Sequence, residues 1–167
     1  MITISNAGPL ITFGKLGQLG LLLKLCSEII IPREVYNEVV LNGIKLGAPD
    51  AFSIKRIVDS GRISVEDVVL SEQDRRLISN IDLGEVEVIA LAKQKKADRV
   101  LIDNEHARKA ARVQDLPVRG TIGILIEGFR KGFLNTEEFQ FLIEEIKARP
   151  DLWISERLCD FALQRIK

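Results

Sequence analysis

Residues that commonly define a catalytic chemistry are scarce in this chain of 167 residues. It has one histidine, His106, which leaves neither a His-rich zinc site nor a second imidazole for general acid–base catalysis. The two cysteines, Cys26 and Cys159, lie far apart, each within an apolar helical pattern and without metal-ligand spacing around it. We expect them to be buried free thiols of a protein from a reducing compartment.

Net charge and membrane-spanning runs are absent too. The chain has 24 basic and 24 acidic residues, so a nucleic-acid surface must be a local patch on a neutral body. The apolar stretch at 19–26 is too short and too interrupted to cross a bilayer, and the N-terminus lacks a signal-peptide pattern. These absences predict a soluble, cytoplasmic protein with no membrane partner.

The common phosphate-binding and nucleophile motifs are missing as well. Gly14, Gly17 and Gly20 do not have the G-x-G-x-x-G spacing, and they predict a turn between two short helices. The chain has no Walker A sequence and no G-x-S-x-G elbow. Its first strand also lacks the paired aspartates of a phosphatase that forms an aspartyl-phosphate. A small-molecule phosphohydrolase is therefore disfavoured.

An alternation of strand and helix patterns is what the sequence does contain. Predicted strands cover residues 1–5, 27–32, 62–67, 98–103 and 116–120. Predicted helices begin at Leu10 and Pro32 and cover 71–81, 84–97, 104–115, 121–132, 135–148 and 155–166, with a surface loop at 41–51. This alternation predicts an α/β fold with a mainly parallel sheet of about five strands and helices on both faces. The length fits a single domain, 1–167, whose C-terminal helices at 135–166 pack on the core or form a dimer interface.

Acidic and amide side chains occur at particular places in this pattern. Asn6 ends the first predicted strand and Asp103 ends the fourth, so both should lie at the carboxyl edge of the sheet. Glu85, in the first turn of a helix, precedes Asp103 by 18 residues, enough for one helix and one returning strand. Glu38 follows Val35 by three residues, on the flank of a buried stripe.

Oxygen ligands that converge without histidine or cysteine select hard cations such as Mg²⁺ or Mn²⁺. Such ions bridge carboxylates to phosphate oxygens and activate water for attack on a phosphodiester. Each acid also has a purely structural explanation: Glu85 can complement a helix N-terminus, Glu38 can be an exposed helix position, and Asp103 or Asn104 can cap the next helix.

Several segments of the chain resemble the PIN-domain superfamily, most closely its DUF3368 branch. They are ISNAGPLITFGKLGQLGLL, IPREVYNEVV, LGEVEVIALAKQKKADRVLIDNEHARKAARVQDLPVRGTIGILI and the tail WISERL. The resemblance implies a three-layer α/β/α fold and a metal-dependent ribonuclease cleft. It places the acidic quartet of PIN domains on Asn6, Glu38, Glu85 and Asp103.

Two further acids are candidates for the same site. Glu87 is a rival for the role of Glu85, although two helical positions place it about 200° away around the helix. Glu105 stands near a position where many PIN domains carry an extra aspartate, which implies assistance to a second metal ion.

Asn6 departs from the superfamily pattern because it carries no charge. Its amide oxygen can still ligate Mg²⁺ or hold a water of the ion, but a four-acid site becomes a three-acid site. We therefore expect weaker metal affinity and occupancy by one ion instead of two. The alternative is that Asn6 caps the helix that follows it.

A basic segment follows Asp103 at the carboxyl edge of the predicted sheet. The RNA-contact candidates are His106, Arg108, Lys109, Arg112 and Arg119. Arg108 and Arg112 share a helix face, where they can bind the phosphate backbone or form ion pairs on a solvated surface. Few aromatic residues are available for base stacking, so we predict no sequence-specific reader built from rings.

Two functional hypotheses follow. The first is a metal-dependent endoribonuclease that uses one or two Mg²⁺ or Mn²⁺ ions. The resemblance to PIN domains, some of which are toxins, implies an antitoxin protein as a partner, and the frequent pairing of PIN domains implies a homodimer. The second is a catalytically weak or inactive PIN-like module that binds RNA or protein.

Overall fold

The chain forms a five-stranded parallel sheet between two layers of helices, the three-layer α/β/α architecture that the sequence predicts. A computed structural model describes residues 1–166. The strands are β1 (Ile2–Ser5), β2 (Glu28–Pro32), β3 (Ile63–Glu66), β4 (Arg99–Leu101) and β5 (Val118–Arg119). All pairs are parallel and the order across the sheet is β3-β2-β1-β4-β5.

The described residues form eleven α-helices, the last three of which follow β5. They are α1 (Ala7–Lys15), α2 (Leu19–Leu25), α3 (Arg33–Tyr36), α4 (Gly43–Lys45), α5 (Pro49–Asp59), α6 (Glu72–Arg76), α7 (Leu83–Lys95), α8 (Glu105–Val113), α9 (Thr121–Arg130), α10 (Thr136–Ala148) and α11 (Glu156–Arg165). A π-helical segment, Asn37–Asn42, joins α3 to α4, and a 3₁₀ turn, Leu77–Ser79, follows α6.

Strand β1 lies at the centre of the core. Thr3, Ile4 and Ser5 are fully buried, as expected for a parallel strand covered on both faces. Helix α7 packs on β1, β2 and β4, while α1 packs against α2, α5 and α9. The predicted turn between two short helices is confirmed, because α1 and α2 flank residues 16–18.

Helix starts follow the capping residues in the sequence. Ser71 and Asp74 form a reciprocal capping box at α6, and Asn104 accepts a hydrogen bond from the Ala107 N–H at α8. Both cysteines, Cys26 and Cys159, are buried and free, as predicted. Among the described residues no helix is long and apolar enough to span a membrane.

The sequence-based expectation for 41–51 is wrong. Instead of a surface loop, this region continues the π-helical segment into α4 and then begins α5 at Pro49. Tertiary packing explains the difference, because Ala51 and Ile54 of α5 are fully buried against the core. The chain reverses instead at Gly47, whose positive φ of 69° suits glycine.

Three boundaries also differ from the prediction. Helix α1 begins at Ala7 rather than Leu10, because Pro9 is accommodated in its first turn. Pro32 is the last residue of β2 and the N-cap of α3 rather than a helical residue. Asp103 lies two residues beyond the end of β4 rather than within the strand.

Candidate metal centre and adjoining groove

The candidate site lies where the strand order reverses, between β1 and β4. Ser5 pairs with Leu101, and the Asn6 N–H donates to the Leu101 carbonyl at 2.9 Å. This register places Asn6 and Asp103 at adjacent strand ends on the carboxyl edge of the sheet. Crevices at such a reversal are where open α/β sheets bind ligands.

Asp103 is held by the N-terminus of α9. Its Oδ1 accepts the Thr121 N–H at 2.7 Å and its Oδ2 accepts the Thr121 hydroxyl at 2.6 Å. Burial raises the pKa of Asp103, while the two bonds from Thr121 and the charge of Arg108 oppose the rise. A Cβ at residue 120 would lie 3.0 Å from Asp103 Oδ1 and 2.9 Å from Arg108 Nη1, so Gly120 permits this close approach.

Glu85 is buried in a capping box at the start of α7. Its N–H donates to Asp82 Oδ1 at 2.8 Å, and its Oε2 accepts the Asp82 N–H at 3.1 Å. Burial raises the pKa of Glu85; the bond from Asp82 opposes the rise, and the negative charges of Asp82 and Glu38 add to it. The helix-capping explanation for Glu85 is therefore correct as geometry, and its second carboxylate oxygen stays outside the capping box.

Glu38 projects from the π-helical segment toward the start of α7. A Cβ at Gly84 would lie 3.7 Å from Glu38 Oε2 and 3.4 Å from Asp82 Oδ1. Glu38 is an exposed residue of a helical segment, as its structural explanation predicts. Burial of its carboxyl group nevertheless raises its pKa, and the charges of Asp82 and Glu34 raise it further. A π-helical turn is uncommon and is frequently found at functional sites.

Two hollows connect these acids to solvent. One, of about 290 Å³, is lined by Glu38, Asp103, Gly8 and the turn after α10. The other, of about 460 Å³, is lined by Asp82, Glu85 and His106. The acids thus share one edge of the sheet, but across residues 1–166 no three Asp, Glu, His or Cys side chains come together as a ready-made metal site.

Asn6 occupies the N-cap position of α1, yet its side chain makes no capping hydrogen bond. The residue is 8% exposed. The capping explanation for this asparagine is therefore wrong, because the backbone at the start of α1 does not use its amide.

Glu87 and Glu105 are each engaged by another group. Glu87 Oε2 accepts the Glu34 N–H at the start of α3, at 3.1 Å. Glu105 Oε1 and Oε2 lie 3.7 Å from Arg112 and 3.9 Å from Arg108. The structure therefore gives each of these carboxylates another local partner.

The predicted basic residues belong to α8 and the neighbouring β5. Arg108 donates to the Ile102 carbonyl at 2.8 Å and is half-buried, whereas Arg112 and Arg119 are exposed. His106 lines the hollow beside Glu85, and Lys109 is exposed. Arg108, Arg112 and Arg119 share a groove of about 770 Å³ that reaches Asp103.

Sequence reasoning missed Asp82, Thr121 and Trp153. Asp82 stands three residues before Glu85, which is the spacing of a capping box and a usable signal. Thr121 follows Gly120 at a predicted helix start, but only the fold brings it to Asp103. Trp153 belongs to the tail segment WISERL, where nothing local points to the cleft.

A parallel sheet between helical layers, with acids where the strand order reverses, defines an α/β/α domain of the PIN type. The family model for DUF3368, a PIN domain, matches residues 2–167, and the chain belongs to this family. PIN domains are generally nucleases and typically use divalent metal ions. No curated protein matches the chain.

The chemistry of the donor set fits a divalent cation. Glu38, Glu85 and Asp103 offer hard oxygen ligands. Burial raises the pKa of all three by disfavouring the ionised form, and neighbouring acids add to the rise for Glu38 and Glu85. A cation would remove that cost.

Proposed function

We propose that the protein is a metal-dependent endoribonuclease that hydrolyses phosphodiester bonds of RNA. Glu38, Glu85 and Asp103 would hold one or two Mg²⁺ or Mn²⁺ ions, and the Asn6 amide oxygen would complete the ligand set. When bound, the cation neutralises charge on the phosphate and lowers the pKa of water. A side-chain nucleophile is not required.

The protein's own residues position this chemistry. Thr121 fixes both oxygens of Asp103, and each oxygen keeps a second lone pair with which to accept another bond. The capping box fixes one oxygen of Glu85. Rigid ligands of this kind lower the reorganisation that binding requires.

One observation carries the proposal: three acids from three different elements line hollows along the carboxyl edge of the sheet, and burial raises their pKa values. A carboxylate on an ordinary surface is hydrated, so it ionises without the desolvation cost that raises these pKa values. Perturbed acids in a hollow are candidates for a functional site, and membership of a nuclease family makes phosphodiester hydrolysis the natural assignment.

The direct test is cleavage of end-labelled single-stranded RNA in Mn²⁺ and in Mg²⁺. We expect wild-type protein to cut the RNA, and we expect cutting to disappear with a chelator, in Asp103→Asn and in Glu85→Gln. The matched control is Glu138→Gln. Glu138 has the same helix position and the same capping box as Glu85, but at the exposed start of α10. Folded wild-type protein that cuts RNA with neither ion would contradict the proposal.

A non-catalytic module that binds RNA or protein is the second candidate. Two observations favour it: the neutral Asn6 in place of an acid, and the absence within 1–166 of three metal-ligating side chains already brought together. In that case the folded protein binds single-stranded RNA in the presence of Mn²⁺ and leaves it uncut.

We also propose two protein partners, an antitoxin and a second copy of the chain. The likeness to PIN toxins favours a cytoplasmic toxin whose small antitoxin covers the hollow at Glu38 and Asp103. A homodimer would use exposed apolar surface of the C-terminal helices that lies outside the 770 Å³ groove, such as Phe141 of α10. Other apolar residues of these helices, including Phe139 and Ile143, are buried in the core of the same chain.

A further inference from the structure

Trp153 is an exposed aromatic residue on a well-anchored turn between α10 and α11. It is the only tryptophan of the chain and is 93% exposed. Its neighbour Leu152 is buried, and an Arg149–Asp151 ion pair and a Lys15–Asp151 bond brace the turn at 2.9 and 3.0 Å. A large ring held in water on such a turn is a ready contact surface.

Trp153 lies between two cavities already described. One is the acidic hollow, lined by Glu38 and Asp103, and the other is the arginine groove, lined by Arg108, Arg112 and Arg119. The 290 Å³ hollow and the 770 Å³ groove share three lining residues: Asp103, Trp153 and Ile154. A chain that lay in the groove would therefore pass Trp153 where it reaches Asp103.

The groove is positively charged. Arg108, Arg112, Arg119 and Arg157 line it, against the acids Asp103 and Glu105. Since the whole protein has no net charge, this is a local concentration of arginine. Such grooves attract and orient phosphate groups.

The positive surface continues past Arg119. A neighbouring cavity of about 580 Å³ shares Arg119 with the groove and is lined by Arg99, Arg130, Lys131 and Arg165. Glu127 is the one acid among the residues that line it, and it pairs with Arg99 at 3.0 Å and Lys131 at 2.9 Å. The positive surface is therefore long enough to contact several phosphate groups of a polymeric ligand.

We propose that Trp153 stacks on an unpaired base while the arginine groove holds the backbone of a single RNA strand that enters the acidic site. This assignment rests on the proposed ribonuclease function and adds how its substrate is held. An exposed ring accepts a base only if that base is unstacked, which selects single-stranded over double-stranded RNA. Stacking tolerates every base, so it adds affinity without sequence specificity.

The charge of the groove favours RNA over a second protein chain. Its apolar lining, including Ile122 and Leu158, would suit a protein partner, but four arginines at its walls match a polyanion. A second copy of this chain would bring arginines against arginines.

The test uses intact protein in a chelator, so that RNA binds without being cut. A single-stranded oligonucleotide of about 12 nucleotides is titrated while intrinsic fluorescence and the anisotropy of a 5′ dye are recorded. Trp153 is the sole tryptophan, so base stacking is expected to quench the tryptophan signal directly. Trp153→Leu should weaken binding about tenfold, within the range for loss of one stacked base, and Trp153→Phe should recover most of it.

Matched variants separate stacking, charge and general damage. Phe52→Leu removes a half-exposed ring from α5, beside the opposite sheet edge, and should leave binding unchanged. Arg157→Gln should weaken binding and reduce the slope of log affinity against log salt by about 0.7, the value for one phosphate contact on a single strand. An abasic oligonucleotide should bind without quenching tryptophan.

Binding without quenching, equal quenching by the abasic strand, or unchanged affinity in Trp153→Leu would overturn the stacking assignment. Self-association of the protein that Leu158→Glu abolishes, with no RNA bound, would show that the groove receives a second copy. Binding and quenching by a protein that cuts no RNA in Mn²⁺ would uphold this inference and refute the ribonuclease. Metal-dependent cleavage whose rate and KM are unchanged in Trp153→Leu would uphold the ribonuclease and refute the stacking assignment.

Discussion

At the scale of single residues, Asn6 is the position where this chain differs most from a four-acid site. Its amide lies at the carboxyl end of β1, nearly buried, and does not cap α1. Helix capping therefore does not explain why an asparagine stands at this position. Its effect on cation binding is directly measurable.

We predict that Asn6→Asp tightens Mn²⁺ binding about tenfold, because cation affinity rises with the charge of the ligand set. Isothermal titration calorimetry measures the change. The control is Asn135→Asp, which adds the same charge in the capping box of α10 while keeping an oxygen there. Equal affinities of wild type and Asn6→Asp would remove Asn6 from the site.

Thr121 is a positioning residue for Asp103. Thr121→Val removes the hydroxyl that donates to Asp103 Oδ2 but keeps the side-chain shape, so a half-buried carboxylate loses one partner. We predict a loss of about 1–2 kcal/mol in the free energy of unfolding, and a larger proportional loss of RNA cleavage.

Thr121→Ser is the matched variant, since it retains the hydroxyl and loses one methyl group. The cleavage rate of this variant should stay near the wild-type value. Its free energy of unfolding, measured by urea denaturation, should fall only modestly. If the valine and serine variants cleave RNA equally well, the hydroxyl does not position Asp103.

At the scale of elements, the helical run 33–45 carries Glu38 and is fixed in place by α5. Gly43 is the point of contact, because a Cβ there would lie 2.5 Å from the Cβ of Ala51. The π-helical segment shifts the register of this run by one residue relative to an α-helix, which changes the direction in which later side chains point.

We predict that Gly43→Ala destabilises the protein by about 1–3 kcal/mol, the usual cost of overpacking, and reduces cleavage by displacing Glu38. Gly20→Ala in α2 is the control, because a Cβ there meets nothing within 4 Å. That variant should be neutral or stabilising by up to about 1 kcal/mol. Chemical denaturation compares the two, and equal stabilities would show that the 33–45 run can move away from α5.

At the scale of the whole molecule, the acidic edge couples stability to pH and to cations. Burial raises the pKa of Glu85 and Asp103 in the folded protein. Such an acid binds its proton more tightly when folded. Its stabilising contribution is complete below the unfolded pKa, about 4, and is lost as the pH rises through the folded pKa.

We therefore predict that Glu85→Gln raises the Tm of metal-free protein at pH 7 by roughly 2 °C, since it removes a buried charge and keeps the capping box. The gain should vanish near pH 4, where wild-type Glu85 is protonated. Mn²⁺ should raise the Tm of wild type and not that of the variant. Calorimetry across pH 4–8, with Glu138→Gln as control, measures this.

A Glu85→Gln variant that is less stable than wild type at pH 7 would contradict the prediction. It would mean that the Glu85 carboxylate stabilises the fold through its capping bond more than its burial costs. A Mn²⁺-induced rise that is the same in both proteins would show that the ion binds elsewhere.

The sequence by itself determined the five strands and the helices from α7 to α11, whose starts lie within one residue of the predicted ones. These features depend on local information: apolar periodicity, Ser71 and Asn104 as caps, and β-branched runs such as the one ending at Ser5. Alternation of the elements then required a parallel sheet, and that requirement brought Asn6 and Asp103 to one edge.

The tertiary structure alone decided how the side chains at that edge are used. Residues 41–51 became helical because α5 packs into the core, which no local pattern records. Thr121 came to bond Asp103, and Trp153 came to line both the hollow and the groove beside Asp103, through contacts between residues distant in the chain. Strand and helix patterns reflect neighbours in sequence, whereas a site is made of neighbours in space.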